Sequence, residues 1–344
     1  MSFTPHIDVS FISGLYTFAP TFHTLKKRTK TSSDKKIAKS CKSKLKKLKG
    51  ILLAVQYNNA YYDSIHMLTT FYKPVFGKVV FCGNHYDESI NLIHSPDFNG
   101  YQGYNCLRKA IDLHPGYEGY LFTNDDALIF WWNLVKYNIS KFWIMEDFLN
   151  PIRCYYDLTS GKSSGWSWWD SEKVPNLPNL CGRAISKVSF SSITKTGKDL
   201  NLKTYIENRK FTCKKSNLCF CGFADTFYVP KSETKTFVFL SDIFAKEAVY
   251  LEAAVPTMMS FLINTRKKNY EILSGTIIGL VAGYRSESYT SGRAIYEHID
   301  LRKDYIHPVK FGSHNTSIAN KNIFKNAVIP YGNLFTKMCN SANE

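Results

Sequence analysis

The sequence predicts an α/β protein built on a Rossmann-like, mostly parallel sheet flanked by helices, with a second half that completes the same globular unit. Three apolar runs, ILLAVQYN (51–58), KVVFCG (78–83) and GYLFTNDDALI (119–129), alternate with two stretches whose apolar residues recur at helical spacing. Parallel neighbours need crossover connections, and helices supply them, so this order implies a doubly wound sheet. Size agrees: 344 residues, 44% of them hydrophobic and 15% aromatic, bury a large core and exclude disordered, collagen-like and disulfide-miniprotein classes.

Residues 1–49 read as a basic, flexible arm. The chain carries a formal charge of +16, and between Lys26 and Lys49 stand twelve basic residues and one acid, Asp34. The charge therefore belongs to one segment rather than to the body. Within it Ile37, Cys41, Leu45 and Leu48 place a thin apolar stripe on a basic helix. That helix is either a solvated linker or a segment that seeks an anionic membrane surface, where each Lys or Arg contributes about 1 kcal/mol. Nucleic acid is disfavoured, because no aromatics interleave with the lysines and the body holds little of the positive excess. No run of about 18 apolar residues or signal-peptide pattern occurs, which implies a cytoplasmic protein if the sequence is complete.

The elements after Gly50 follow in order. Residues 51–58 form a buried strand, and a helix with Ile65, Leu68, Thr69 and Tyr72 on one face is stopped by Pro74. A second strand ends at Gly83. A second helix, 104–114, carries Leu107, Ala110, Ile111 and His114 at steps of three and four and is closed by Pro115 and Gly116. The third strand runs into Asn124, Asp125 and Asp126.

In such sheets ligands sit beyond the carboxyl ends of strands. Adjacent carboxylates there repel unless a cation neutralises them, and hard oxygen ligands suit Mg2+ or Mn2+ bridging to phosphate. Side chains alternate along an extended backbone, so Asn124 and Asp126 share one side and Asp125 takes the other. Asp126 is then the principal metal ligand, with Asn124 and Asp125 nearer the nucleotide or sugar. The competing reading is a solvated cap on a helix over 127–138.

At these residues the chain resembles nucleotide-sugar glycosyltransferases of the GT-A type, whose DxD-like motif ends a central strand, and more closely a family of eukaryotic GT-A-like proteins. The likeness extends through FYKPVFGKVVFCG, GYEGYLFTNDDALI, GWSWWDS, FADTFYVP, YLEAAVPTM and YIHPVKFG, from about residue 50 to about 312. Asn124 departs from the Asp that many such transferases carry. The resemblance implies a metal-dependent transferase moving a sugar from a nucleotide diphosphate donor to a glycan or glycoprotein acceptor, in the Golgi or another secretory lumen. Residues 50–150 would bind the donor near Asn58, Gly83 and Asn84, with Mn2+ or Mg2+ on Asp126, Asp125 and His307. Residues 151–344 would bind the acceptor and complete the site. A catalytically silent GT-A-like scaffold tethered by the arm is the alternative.

The remaining motifs take their meaning from that likeness. Trp166, Trp168 and Trp169 are either an acceptor-stacking surface or a packed satellite core. Asp225 is an acceptor contact or a turn residue. Ser241 or Asp242 caps one long helix through IFAKEAVYLEAAVPTMMSFL, on which Glu252 is either the base that takes a proton from the acceptor or a surface acid paired with Lys246. His307, held extended before Pro308, would close the metal site, and Lys310 would offset diphosphate charge. Several of the nine Cys lie inside apolar runs, where a reduced Cys acts as a small hydrophobe, and the C-x5-C-x-C spacing of Cys213, Cys219 and Cys221 is not the C-x2-C knuckle that zinc sites usually use. Sequons at Asn138 and Asn315 matter only in a secretory lumen.

Overall fold

A computed structural model of the chain describes residues 42–84, 92–95, 101–146, 156–157, 162–163, 176–195, 219–220, 222–263, 267–280, 293–312 and 315–340. The three anticipated strands are β1 (Ile51–Gln56), β2 (Lys78–Gly83) and β4 (Gly119–Asn124), with β3 (Leu92–His94) beside β2. β1 lies between β2 and β4 and parallel to both. The crossovers contain α1 (Ile65–Tyr72) and α2 (Tyr104–Leu113). β6 (Phe142–Met145), β9 (Thr226–Pro230) and β10 (Tyr270–Leu273) extend the sheet to seven strands, ordered β10-β6-β9-β4-β1-β2-β3. β9 runs antiparallel to both its neighbours, β4 and β6. This is the mostly parallel, helix-flanked sheet of a GT-A, Rossmann-like fold.

The sheet separates two apolar cores, which explains why its strands read as continuous apolar runs. Leu52 and Ala54 of β1 face one core together with α2, α4 (Leu177–Lys195), α5 (Thr234–Lys246) and α6 (Leu251–Leu262). Ile51, Leu53 and Val55 face the other. That second core is closed by α1, α3 (Trp131–Leu134), Ile295 of α7 (Arg293–His298), and the carboxyl-terminal α8 (Asn315–Ile323) and α9 (Ile329–Asn340). A three-stranded sheet of β5 (Leu128–Ile129), β11 (Gly275–Ile277) and β12 (Tyr305–His307) packs on the same side. β7 (Tyr156–Asp157) and β8 (Lys162–Ser163) form a separate pair.

Four expectations change. Asp125 and Asp126 do not cap a helix over 127–138, because the chain passes first into β5 and only then into the single turn of α3. The long helix through Glu252 is two helices. α5 ends with Ala248 at φ 53°, while the Val249 N–H reaches the Phe244 carbonyl at 3.0 Å and the Ala248 N–H the Ala245 carbonyl at 2.9 Å. These are the two bonds of a Schellman stop, here with alanine where glycine is usual. Ser241 is accordingly a buried residue inside α5 and caps nothing. Finally, Cys82–Cys106 and Cys181–Cys219 are disulfides rather than reduced hydrophobes, which also removes Cys219 from any thiolate metal set.

The basic segment also looks different at its inner end. Residues 42–48 are helical, with Lys42, Lys44, Lys46 and Lys47 exposed. Leu48 is buried at 1% exposure and Leu45 packs on the same core, so these two members of the apolar stripe face the body. Residues 26–41 and Trp166, Trp168 and Trp169 lie outside the described residues.

Candidate active site

The site forms where β4 ends. Because β9 is antiparallel, its first residue Thr226 pairs with Thr123, which sets Asp225 across from Asn124. The Asn124 backbone N–H donates to the Asp225 carbonyl at 2.9 Å, and Asn124 Nδ2 donates to Asp225 Oδ1 at 2.8 Å. Below them the Thr123 and Thr226 hydroxyls meet at 3.1 Å. Asp125 turns the other way, as the alternation requires. Its N–H donates to the Gln56 carbonyl at 2.8 Å and its Oδ1 accepts the Asn58 N–H at 3.4 Å, across the end of β1.

Asp126 meets residues from far along the chain through the small sheet. β5 pairs antiparallel with β12, Ile129 opposite Tyr305 and Leu128 opposite Ile306, so the chain leaving β12 returns to Asp126. The Val309 N–H donates to the Asp126 carbonyl at 2.6 Å. His307 Nε2 then lies 3.5 Å from Asp126 Oδ1 and 3.4 Å from Asp225 Oδ1, and the Lys310 ammonium pairs with Asp126 Oδ2. Buried Asp304 anchors the start of β12. Its carboxylate accepts the Ser274 N–H at 2.7 Å and pairs with Lys136 at 2.8 Å.

Asn124, Asp126 and Asp225 are only 3%, 4% and 5% exposed. Burial opposes the charge on Asp126, but Lys310 and His307 outweigh it and hold the carboxyl well below the usual carboxylate range. Asp125 moves upward, through burial and the adjacent Asp126 charge. For His307, burial works against the imidazolium, yet Asp225 and Asp126 raise its pKa to about 9.

The arrangement fits a divalent cation. One ligand atom from each of Asp126, Asp225 and His307 lies within 4.8 Å of the others. Asp126 Oδ1 and Asp225 Oδ2 are buried without a hydrogen-bond donor among the described residues, as is Asn124 Oδ1. A buried polar atom left so costs about 1–3 kcal/mol, which a cation would offset. Two carboxylate oxygens and an imidazole nitrogen suit Mn2+, and the oxygen majority also admits Mg2+.

Among the other expected residues, Glu252 lies in the first turn of α6, buried at 8% exposure. Pro256 has no N–H for the Glu252 carbonyl, and the Gly222 N–H takes it instead at 3.0 Å, which ties the segment before Asp225 to this helix. The Leu251 N–H donates to the Tyr101 carbonyl at 2.6 Å, and Gly103, two residues on, passes close to Asn124 Oδ1. The backbone of Glu252 is thus tied to the rim that holds Asn124 and Asp225. Gly83 is required for packing: a Cβ there would stand 2.2 Å from Tyr62 Oη. Half-buried Asn84 follows it, and Asn58 Oδ1 is buried and has no donor among the described residues.

Two residues escaped the sequence reading. Gln56, fully buried, accepts the Asp125 N–H through its carbonyl and leaves Oε1 unpartnered among the described residues. Its signal was a polar residue closing an otherwise apolar strand. Asn320 of α8 donates through Nδ2 to the Lys310 carbonyl at 2.7 Å, and no local pattern marks it.

Comparison with known proteins supplies the decisive likeness. The chain is 26% identical over 210 residues to the probable glycosyltransferase STELLO1 of Arabidopsis thaliana. It resembles glycosyltransferases. The match takes in 61% of this chain and 23% of the relative. STELLO2 of the same plant, also a probable glycosyltransferase, is 24% identical over 195 residues, 56% of this chain and 22% of its own. The matched region thus spans less than a quarter of the length of these relatives. This likeness agrees with the resemblance drawn from the sequence motifs. No family model and no solved structure matches.

Proposed function

We propose that the chain is a metal-dependent glycosyltransferase that moves a sugar from a nucleoside diphosphate donor to a glycan or glycoprotein acceptor. The observation that carries this reading is the convergence of Asp126, Asp225 and His307 beyond the carboxyl end of β4, with Lys310 beside them. These three side chains would hold Mn2+ or Mg2+. The ion would neutralise the diphosphate as it leaves the sugar. Binding a cation would require neutral imidazole, so His307 would have to give up its proton to serve as a ligand. Lys310, which pairs with Asp126 here, would offer its ammonium to a phosphate oxygen. Asn124 keeps Asp225 aimed by its 2.8 Å bond, and Asp125 joins the two strand ends where Asn58, Gly83 and Asn84 would line the donor. Glu252, bonded through its carbonyl to Gly222, is assigned to the acceptor hydroxyl.

We also place the protein in an oxidising secretory lumen, the Golgi included. Disulfides such as Cys82–Cys106 and Cys181–Cys219 persist there and are rare in the cytosol. No helix among the described residues is long and apolar enough to cross a membrane. The exposed lysines at 42–47 leave a basic surface that points away from the inner leucines.

The test is Mn2+ binding by calorimetry together with sugar-nucleotide hydrolysis across a donor panel, for the wild type and Asp126→Ala. The expected result is binding and turnover in the wild type and loss of both in the variant. Turnover that survives Asp126→Ala overturns the metal assignment. A wild type that neither binds Mn2+ nor shifts its melting point with any nucleotide favours the silent scaffold, in which Lys310 neutralises Asp126 permanently.

A further inference from the structure

We propose that Asn138 carries an N-linked glycan, an inference that rests on the lumenal reading above. Asn138, Ile139 and Ser140 form a sequon in the turn between α3 and β6. Asn138 and Ser140 are exposed, although Trp132, Leu134 and Phe142 on either side are buried.

The turn presents the asparagine in a fixed pose. Its N–H donates to Glu271 Oε2 at 2.7 Å, and its carbonyl accepts the Lys141 N–H and the Trp143 indole N–H, each at 3.0 Å. The side-chain Oδ1 accepts the Ser140 N–H at 2.9 Å, which closes an Asx turn. Every acceptor and backbone group of Asn138 is thereby engaged, while Nδ2, the atom that bears the sugar, makes no hydrogen bond among the described residues. A glycan there displaces no contact of the fold. The other sequon differs, because its hydroxyl residue, Ser317, is buried at 6% exposure in the first turn of α8.

The position is also compatible with catalysis. Ile139 and Glu118 offer their carbonyls to the same hydroxyl, Tyr228 Oη, at 2.8 and 3.2 Å. Glu118 immediately precedes β4, so the turn lies at the amino edge of the sheet. Asp126 and its partners lie past the carboxyl edge, the length of β4 away, about 20 Å at roughly 3.3 Å per residue. The glycan would cover the rim opposite the site and leave donor and acceptor access open.

The transfer is that of a lipid-diphosphate-linked oligosaccharide by an oligosaccharyltransferase. Asn138 Nδ2 bonds to the anomeric carbon, and the bond from that carbon to the phosphate oxygen breaks. The lipid diphosphate leaves with the electron pair, and one amide proton passes to the transferring enzyme.

The experiment expresses the full chain behind a cleavable secretory leader in eukaryotic cells, as wild type, Asn138→Gln and Ser140→Ala. Ser140→Ala keeps Asn138 and its hydrogen bonds, so a fold defect in one variant does not decide the outcome. The expected result is a mobility shift of one glycan that peptide N-glycosidase removes, leaving Asp at position 138, and that both substitutions abolish. A leader-directed chain whose Cys82–Cys106 bond has formed but whose Asn138 is bare overturns the glycan alone. The chain without an added leader, isolated from cells of its own organism, is alkylated in parallel. Free Cys82 and Cys106 there overturn the lumenal reading itself.

Discussion

Asn124→Asp installs the acid that many GT-A enzymes carry, and the structure predicts that it destabilises this chain. Asn124 Nδ2 sits 2.8 Å from Asp225 Oδ1, and both residues are buried. Two carboxylates at that distance repel by about 6 kcal/mol at an effective dielectric of about 20. Taking up one proton at pH 7 is cheaper, about 4 kcal/mol for a carboxyl of ordinary pKa near 3.9, and the protonated acid can still donate to Asp225. The smaller penalty wins, so the variant should lose about 4 kcal/mol at pH 7 and almost none near pH 4. His307 and Lys310 cannot absorb the extra charge, because they already face Asp126 and Asp225. Urea unfolding of wild type, Asn124→Asp and Asn124→Ala at both pH values measures this. The alanine variant loses only the donor and should cost about 1–3 kcal/mol with little pH dependence. Mn2+ at 100 times its dissociation constant should return about 2.7 kcal/mol to the aspartate variant. An Asn124→Asp protein as stable as wild type at pH 7 without metal would refute the reasoning.

Two further outcomes concern the scaffold. The Cys82–Cys106 bond spans 24 residues, for which loop-closure entropy gives about 3.4 kcal/mol, so Cys82→Ala with Cys106→Ala should lower the urea midpoint accordingly. A midpoint unmoved by the double substitution would show that the bond does not constrain the unfolded chain. Lys187 and Arg183 hold the Glu247 carboxyl below its ordinary pKa of 4.5, so the pair stabilises the fold above that pH and its contribution is lost as pH falls through the depressed value. Glu247→Gln should therefore flatten the dependence of stability on pH below about 4.5, and an unchanged profile would count against the pairing.

The parallel core was legible because β1, β2 and β4 are buried on both faces and so leave uninterrupted apolar runs. The direction of β9 was not legible, since alternation along TFYVP is the same whichever way a strand runs. That direction is what brings Asp225 to Asn124. The break at Ala248 was hidden because alanine favours helix and gave no glycine signal, and the cysteine pairs because spacing says nothing of which strand a helix covers. His307 and Lys310 were found through family likeness. A lone histidine carries no local sign of the β5–β12 pairing that delivers it.

That pairing has a consequence for how the protein is made. Lys310 stands 184 residues after Asp126, and every strand of the seven-stranded sheet, β10 included, precedes β12. A growing chain can therefore assemble its main sheet with Asp126 and Asp225 in place and still lack the histidine and the lysine. Long-range closures of this kind come late. The two acids wait without their counter-charges until the segment carrying His307 and Lys310 docks, tied to α8 by Asn320. Completion of the site would then report that the chain through α8 has been made and folded.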